Sequence, residues 1–237
     1  MRWLLLILAC APWPALAAER RYSVSSFERI RVEGPFEVKV TAGQAPSGRA
    51  VADQQTLDLI QLDVQGGTLV VRLSGAGWGE TPKMRRIAPV ITLTTHDLRS
   101  AVVRAGGKLT VSGAAGQRVD LAVNGAGMLT ADRISADQLL ATVIGAGSMT
   151  LAGKAQRAQL LSNGTGLIDA AALAVNDLVV RQEGSGETRA QARYAAQVTT
   201  NGLGSVDVAG NPACTVKAMA GGPVRCGGPA ALDQPKR

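Results

Sequence analysis

The sequence predicts an all-β, single-domain fold: a right-handed parallel β-helix with turns of 18–20 residues and a capping β region at its N-terminal end. Two observations lead to this prediction. Short breaks that contain paired glycines recur at a nearly constant spacing, and the segments that flank them alternate between apolar and polar residues. Self-similarity at a step of this length is typical of stacked solenoids.

The glycine breaks give the register of the predicted turns. Five of the breaks have two glycines two residues apart, as in VNGAGMLTA (residues 123–131) and VIGAGSMTL (residues 143–151), and in the first and last breaks the two glycines are adjacent. The second glycine of each break marks one turn, and the marks are Gly107, Gly127, Gly147, Gly166, Gly186, Gly204 and Gly222. They are 20, 20, 19, 20, 18 and 18 residues apart. A chain that turns from one sheet to the next needs residues with positive φ, which glycine adopts without steric cost.

Apolar and polar residues alternate on both sides of each mark, which predicts at least two strands in each turn. The positions two residues after the marks are predicted to point inward, and they are Leu109, Leu129, Met149, Ile168, Thr188, Val206 and Val224. The positions six residues before the marks behave in the same way, and they are Leu121, Ala141, Leu160, Val180, Val198 and Val216. Alternation with a period of two indicates strands that bury one face. Leu140 and Val179 interrupt the pattern, which suggests that another segment covers them.

Two sets of polar residues recur at fixed positions of the turns. Asn124, Asn163 and Asn201 all stand three residues before a mark. Asparagine tolerates left-handed backbone better than most residues, so these three are predicted to be corner residues that bond along the stack. The charged set is Asp169, Arg189, Asp207 and Arg225, one in each consecutive turn. Opposite charges on adjacent strands attract, so this column is predicted to stabilise the register.

Two cysteines, Cys214 and Cys226, fall on inward positions of the last turn, on two different strands. A narrow interior would bring them close together, which favours a disulfide over two buried thiols. Such a bond would hold the terminal turn, where fraying starts most easily.

The sequence divides into four parts: a signal peptide (1–18), an N-terminal β region with the cap and early coils (19–100), the regular array (101–228) and a C-terminal tail (229–237). In the second part, FERIRVEGPFEVKVTAG reads as two strands joined at Gly34-Pro35. LDLIQLDVQGGTLVVRL reads as a short turn or helix and then a hairpin through Gly66-Gly67. SGAGWGETPKM reads as a loop, and APVITLTT as a strand that leads into the first regular coil.

The first residues predict export. One arginine, a short apolar run and an Ala-Leu-Ala site form the pattern of a secretory signal peptide, and the run is too short to span a bilayer. A lipobox that ends at Cys10 is the alternative, and it would anchor the chain through a lipid. No membrane-spanning segment is expected in the mature chain. The periplasm is the simplest location, with the cell surface or secretion as alternatives.

At this point the chain resembles a family of exported bacterial proteins, the auto-transporter adhesin, head GIN domain family. The resemblance depends on Phe27, on the phrase IRVEGPFEVKV that starts at Ile30, on VQGGTL at residues 64–69 and on the paired glycines. It implies a β-helical exported domain and an adhesin-like role, and it supplies no catalytic residues. No translocator barrel is expected, so self-export through an outer membrane is not predicted.

The composition and the motifs argue against several classes of partner and cofactor. The formal net charge is +7, but the arginines are scattered and aromatic residues make up 3% of the chain. Proteins that bind single-stranded nucleic acid combine a basic groove with stacking aromatics, so no nucleic-acid partner is predicted. One histidine, His96, and two separated cysteines cannot supply a zinc site, and the paired glycines lack the third glycine of a dinucleotide motif. No cofactor or metal is therefore predicted.

These observations predict a non-enzymatic binding or structural module of the bacterial envelope, whose polar face contacts a glycan or an envelope protein. The alternative is a polysaccharide-cleaving enzyme on the same scaffold. Asp169 and Asp207 would be two turns apart, roughly 9.6 Å, close to the separation of an inverting carboxylate pair. Arg189 would lie between them, and a neighbouring cation suits a charge column better than a general acid that must hold a proton. The sequence does not predict an oligomeric state.

Overall fold

The computed structural model describes residues 18–74 and 88–227. The predicted signal peptide with Cys10, the predicted tail and nearly all of the loop SGAGWGETPKM lie outside the described residues. Within the described ranges the chain is almost entirely β-strand, and its one helix is short.

The N-terminal part contains antiparallel as well as parallel strands. Its elements are β1 (Ala18–Tyr22), β2 (Arg29–Glu33), β3 (Glu37–Ala42), β4 (Ser47–Ala52), α1 (Gln54–Leu59), β5 (Ile60–Gln65), β6 (Thr68–Leu73) and β7 (Val90–Thr95). The two strands at Gly34-Pro35, the hairpin at Gly66-Gly67 and the strand in APVITLTT are all present.

The remaining strands form the regular array and pair only in parallel. They are β8 (Ser100–Arg104), β9 (Lys108–Ser112), β10 (Ala115–Asn124), β11 (Met128–Gly145), β12 (Ser148–Gly164), β13 (Leu167–Gly184), β14 (Glu187–Ala192), β15 (Ala195–Asn201), β16 (Ser205–Gly210), β17 (Ala213–Ala218) and β18 (Val224–Cys226). The longest strands, β11 to β13, each follow the chain around most of one turn.

The pairing register confirms the predicted parallel stack. Lys108 pairs with Met128, Met128 with Ser148, and Ser148 with Leu167, and these steps repeat the spacing of the glycine marks. We call the strands that follow the marks the post-glycine sheet: β9, residues 128–131, 148–151 and 167–170, β14, β16 and β18. The strands that precede the marks form the pre-glycine sheet: β8, β10, residues 138–145, 157–164 and 177–184, β15 and β17.

The turns from β10 to β13 also contain a short third segment that the sequence analysis did not identify. In β11 it covers residues 134–136, between a break in the ladder after Ala131 and the start of the pre-glycine sheet. Its side chains close the interior, and Ile134 and Leu173 are buried. The segment pairs over only two to four residues in these ladders, too short for an alternating pattern to stand out in the sequence.

The first corner of the chain lies inside the stack, although it comes first in the sequence. β2 pairs in parallel with both β6 and β8, and β3 pairs with both β7 and β9. The turn formed by β2 and β3 is therefore covered on both sides, and Ile30, Val32, Val38 and Val40 are at most 1% exposed. An early turn is thus present, but chain order and spatial order differ there.

Antiparallel strands cover the N-terminal end of the stack. β5 pairs with the outer edge of β6, β4 pairs with β7, and β1 pairs with β4. Helix α1 follows β4, and the Asp53 carboxylate caps its start by accepting a hydrogen bond from the Thr56 backbone N–H at 3.0 Å. Arg20 on β1 donates to the Leu57 carbonyl oxygen at 2.9 Å. A cap of this kind blocks strand addition at an open edge.

Candidate functional site

The two glycines of each break have different physical roles. The first glycine has positive φ in five breaks, at Gly106, Gly125, Gly145, Gly164 and Gly184. The register marks at the second position do not have positive φ, so the predicted cause holds for the first glycine and is wrong for the second. At the second position, the backbone of the previous turn leaves no room for a β-carbon. On Gly186 such an atom would lie 2.3 Å from the carbonyl oxygen of Gly166.

The three asparagines occupy one position of the pre-glycine sheet, at the strand ends. The ladder joins Asn124 to Ile144, Ile144 to Asn163, Asn163 to Glu183, and Glu183 to Asn201. Asn163 Nδ2 donates a hydrogen bond to Glu183 Oε2 at 3.1 Å, which is a bond along the stack. None of the three has positive φ, since the described non-glycine residues with positive φ are Ala105 and Arg133. The asparagines therefore end strands and do not adopt the left-handed backbone of the corner.

The charged column lies on the outer face of the post-glycine sheet. Asp169 pairs with Arg189, Arg189 with Asp207, and Asp207 with Arg225 in consecutive turns. The salt bridge of Arg189 runs to Glu187 of its own strand, with Nε to Oε1 at 2.7 Å. Threonines continue the column into earlier turns, at Thr110, Thr130 and Thr150.

Cys214 and Cys226 form a disulfide, with their Cα atoms 6.1 Å apart. The ladder places Cys214 opposite the buried Ala196, which is the inward position predicted from the sequence. Cys214 is nevertheless exposed and Cys226 is half-buried. The predicted disulfide is confirmed, and it lies at the surface because β17 pairs within the described ranges on one side only, with β15, and all of its residues are exposed.

A buried polar cluster lies inside the last turns, and sequence reasoning did not identify it as a cluster. Gln182 is 2% exposed and its side-chain amide donates to the Gly186 carbonyl oxygen at 2.7 Å. The Thr188 hydroxyl donates to Gln182 Oε1 at 2.6 Å. Two further buried hydroxyls, of Ser162 and Thr200, have no hydrogen-bond partner among the described residues. The signal in the sequence was Thr188 itself, a polar residue at an inward position.

A shallow groove crosses the outer face of the pre-glycine sheet. Its volume is about 390 Å³, and its polar lining consists of Arg118, Gln138, Arg157, Gln159, Asp177, Arg181 and Gln197. Leu140 and Val179 are half-buried in the same groove. These are the two residues that interrupt the alternation, and they line a groove. Within the described ranges, no strand or helix covers them.

The groove continues around the edge of the sheet toward the third segment. A second depression of about 360 Å³ shares Gln138, Arg157 and Asp177 with the first and adds Asp137 and Gln156. Gln156 Oε1 accepts a hydrogen bond from Asn176 Nδ2 at 2.6 Å. The two depressions together form an extended polar surface, which we call the pre-glycine groove.

Among the residues that the structure describes, no group of three or more His, Cys, Asp and Glu side chains could hold a metal ion. In the same part of the chain, no helix is long and apolar enough to cross a bilayer.

The stacked parallel turns make the chain a β-solenoid protein. It belongs to the family described as "Putative auto-transporter adhesin, head GIN domain", whose model matches residues 26–212. This is an adhesin-like domain family, as the resemblance implied. No curated protein matches the sequence.

Solved structures share the fold at low sequence identity. A crystal structure of a putative adhesin from Bacteroides fragilis is 21% identical, with 89% of this chain and 97% of that chain covered and a TM-score of 0.80. A putative adhesin from Parabacteroides distasonis is 18% identical, with 89% and 96% covered and a TM-score of 0.69. A structure from the same species described as a putative lipid binding protein is also 18% identical, with 87% and 95% covered and a TM-score of 0.71.

Proposed function

We propose that the chain is a non-enzymatic binding module of the bacterial envelope that contacts saccharide polymers through its flat polar sheets. The observation that carries the proposal is the column of threonines and alternating charges on the post-glycine sheet, in register from Thr110 to Arg225. Adjacent members are separated by about 4.8 Å, the spacing between strands. Rigid rows of hydroxyl, carboxylate and guanidinium groups suit a ligand that also repeats polar groups along its length.

Export to the envelope is part of the proposal and is supported by the signal-peptide pattern of residues 1–18. Cleavage near the Ala-Leu-Ala site would release the chain into the periplasm, where a disulfide between Cys214 and Cys226 can form. The adhesin descriptions of the structural neighbours agree with a role in binding.

The test is a binding titration of the chain against a panel of neutral and acidic polysaccharides, with a parallel assay for newly released reducing ends. We expect saturable binding without release of reducing ends. Failure to bind any saccharide in the panel would contradict the proposal. Release of reducing ends that Asp169→Asn or Asp207→Asn abolishes would contradict the non-enzymatic role and establish the hydrolytic alternative.

A further inference from the structure

We infer that the pre-glycine groove is a subsite for an acidic sugar unit, such as a uronate, within an oligosaccharide. The inference rests on the proposed function and deepens it, because it names the ligand class and the surface that selects it. Three observations carry it: two arginines that have no side-chain partner within the described ranges, two aliphatic side chains in the same groove, and amide and carboxylate side chains at the neighbouring positions.

Two cations of the groove differ from arginines elsewhere on the protein. Arg99 pairs with Glu28, Arg29 donates to Thr68, and Arg72 donates to Gln61. Arg118, at the rim of the groove, is bonded through Nε to both carboxylate oxygens of Asp120.

Arg157 and Arg181, by contrast, are exposed and make no salt bridge or side-chain hydrogen bond within the described ranges. A guanidinium group presents a fixed fork of donors that matches a carboxylate or sulfate, so two unpaired forks in one groove favour an anionic ligand. The charged side chains of the 390 Å³ depression are three arginines and one aspartate, which gives it a positive balance.

The pairing of β12 with β13 fixes the relative positions of the two arginines. Arg157 and Asp177 are opposite each other on adjacent turns, and so are Leu161 and Arg181. Arg157 and Arg181 therefore stand at two ends of a diagonal across the groove. Gln159 and Val179 lie between them, opposite each other on the same two turns. A ligand that spans the diagonal meets a cation at each end and an amide and an aliphatic side chain in the middle.

The mixture of side chains favours a sugar over a simple anion. A pyranose ring presents apolar C–H groups on one face and hydroxyls around its edge. Leu140 and Val179 can contact the ring face, while Gln138, Gln159 and Gln197 can donate to and accept from hydroxyls. Asp137 and Gln156, in the adjoining depression, suit the hydroxyls of a neighbouring neutral unit.

The test uses isothermal titration of the full chain with oligogalacturonate, alginate and chondroitin sulfate oligosaccharides. Fully methyl-esterified oligogalacturonate is the matched ligand without the negative charges. We expect at least one acidic oligosaccharide to bind, more weakly as salt is raised. Arg157→Gln and Arg181→Gln should each weaken it at least about tenfold, or 1.4 kcal/mol at 25 °C. Arg193→Gln, a change of the same kind at an exposed arginine outside the groove, should leave binding unchanged.

The other possible outcomes distinguish failure of this inference from failure of the proposed function. Binding of neutral oligosaccharides as tight as that of acidic ones, or loss of acidic binding in Arg225→Gln but not in the groove variants, would overturn the inference and leave the proposed function intact. Absence of binding to every oligosaccharide and polysaccharide would overturn both. Binding to phosphatidylglycerol vesicles in place of saccharides would also overturn both and would identify a lipid surface as the partner.

Discussion

A β-carbon on Gly166 would lie 2.6 Å from the carbonyl oxygen of Gly147, the residue that occupies the same corner position one turn earlier. Real β-carbons do not approach an oxygen so closely, so the corners of adjacent turns are in contact through bare backbone. A β-carbon on Gly107 would likewise lie 2.7 Å from a carbonyl oxygen of the first turn, that of Gly34, so this corner also excludes a side chain.

The close contact predicts that Gly166→Ala destabilises the fold by about 1–3 kcal/mol, the usual cost of overpacking. Two matched changes separate the causes. Gly43 has φ +87° with no atom within 4 Å of a built β-carbon, so Gly43→Ala should cost about 1–2 kcal/mol through backbone strain alone. Gly221 has neither constraint, and Gly221→Ala should be within about 0.5 kcal/mol of the parent. Urea unfolding measures all three, and a loss for Gly166→Ala no larger than that for Gly221→Ala would contradict the steric account.

The buried cluster at Gln182 predicts a non-additive pair of mutations. Gln182→Ala leaves the Thr188 hydroxyl and the Gly186 carbonyl oxygen without this partner, and should cost about 1–3 kcal/mol. In earlier turns the same two positions hold Val143 and Ile168. The double change Gln182→Val with Thr188→Ile should therefore recover most of the loss, because both polar partners are removed together. A double variant less stable than Gln182→Ala would show that the amide supports the last turns in another way.

The charge column predicts a salt-dependent effect. Arg189→Glu places a third negative charge between Asp169 and Asp207 and removes the bridge to Glu187, so it should cost about 1 kcal/mol. The loss should shrink in high salt, since exposed charges are screened. Arg225→Glu faces one aspartate and should cost less. A loss for Arg189→Glu that does not change with salt would mean that packing, and not charge, decides the effect.

The disulfide predicts a local effect at the C-terminal end of the stack. Replacing both Cys214 and Cys226 by alanine should destabilise the chain by about 2–3 kcal/mol for a loop of this size. Amide hydrogen exchange should rise in β17 and β18 first, because these strands pair on one side of the sheet only. Unchanged exchange in β17 would contradict the view that the bond holds the last turn.

The length of the turns and their parallel stacking could be predicted from the sequence, because every turn needs glycine at the same corner and the glycines therefore recur at a regular spacing. The position of β2 and β3 within the stack could not be predicted. Their neighbours in space are distant in sequence, and a local pattern of residues does not show which distant strands pair. Phe36 shows the difficulty: it takes the position of a corner glycine beneath Gly107, yet it is a large buried side chain.

The candidate site could be predicted only in part. The aligned column from Asp169 to Arg225 follows from the turn length alone. The pre-glycine groove does not, because it joins side chains from five turns and depends on which arginines already have partners. Its one local signal was the interruption of the alternation at Leu140 and Val179. From the sequence we predicted that another segment covers these two residues, but in the structure they line the groove.

Deletion of one whole turn tests the stacked architecture most directly. Removal of residues 148–166 would join Gly147 to Leu167 and bring Met128 opposite Leu167, two positions that are already equivalent through Ser148. The account predicts that this variant keeps the strand signal in circular dichroism and unfolds in a single cooperative transition. Removal of residues 148–157, about half a turn, should abolish that transition. Residues of the pre-glycine sheet would then come directly after Gly147, where the post-glycine sheet has to begin. Cooperative folding of the half-turn variant together with loss of folding in the whole-turn variant would contradict the repeat on which the fold depends.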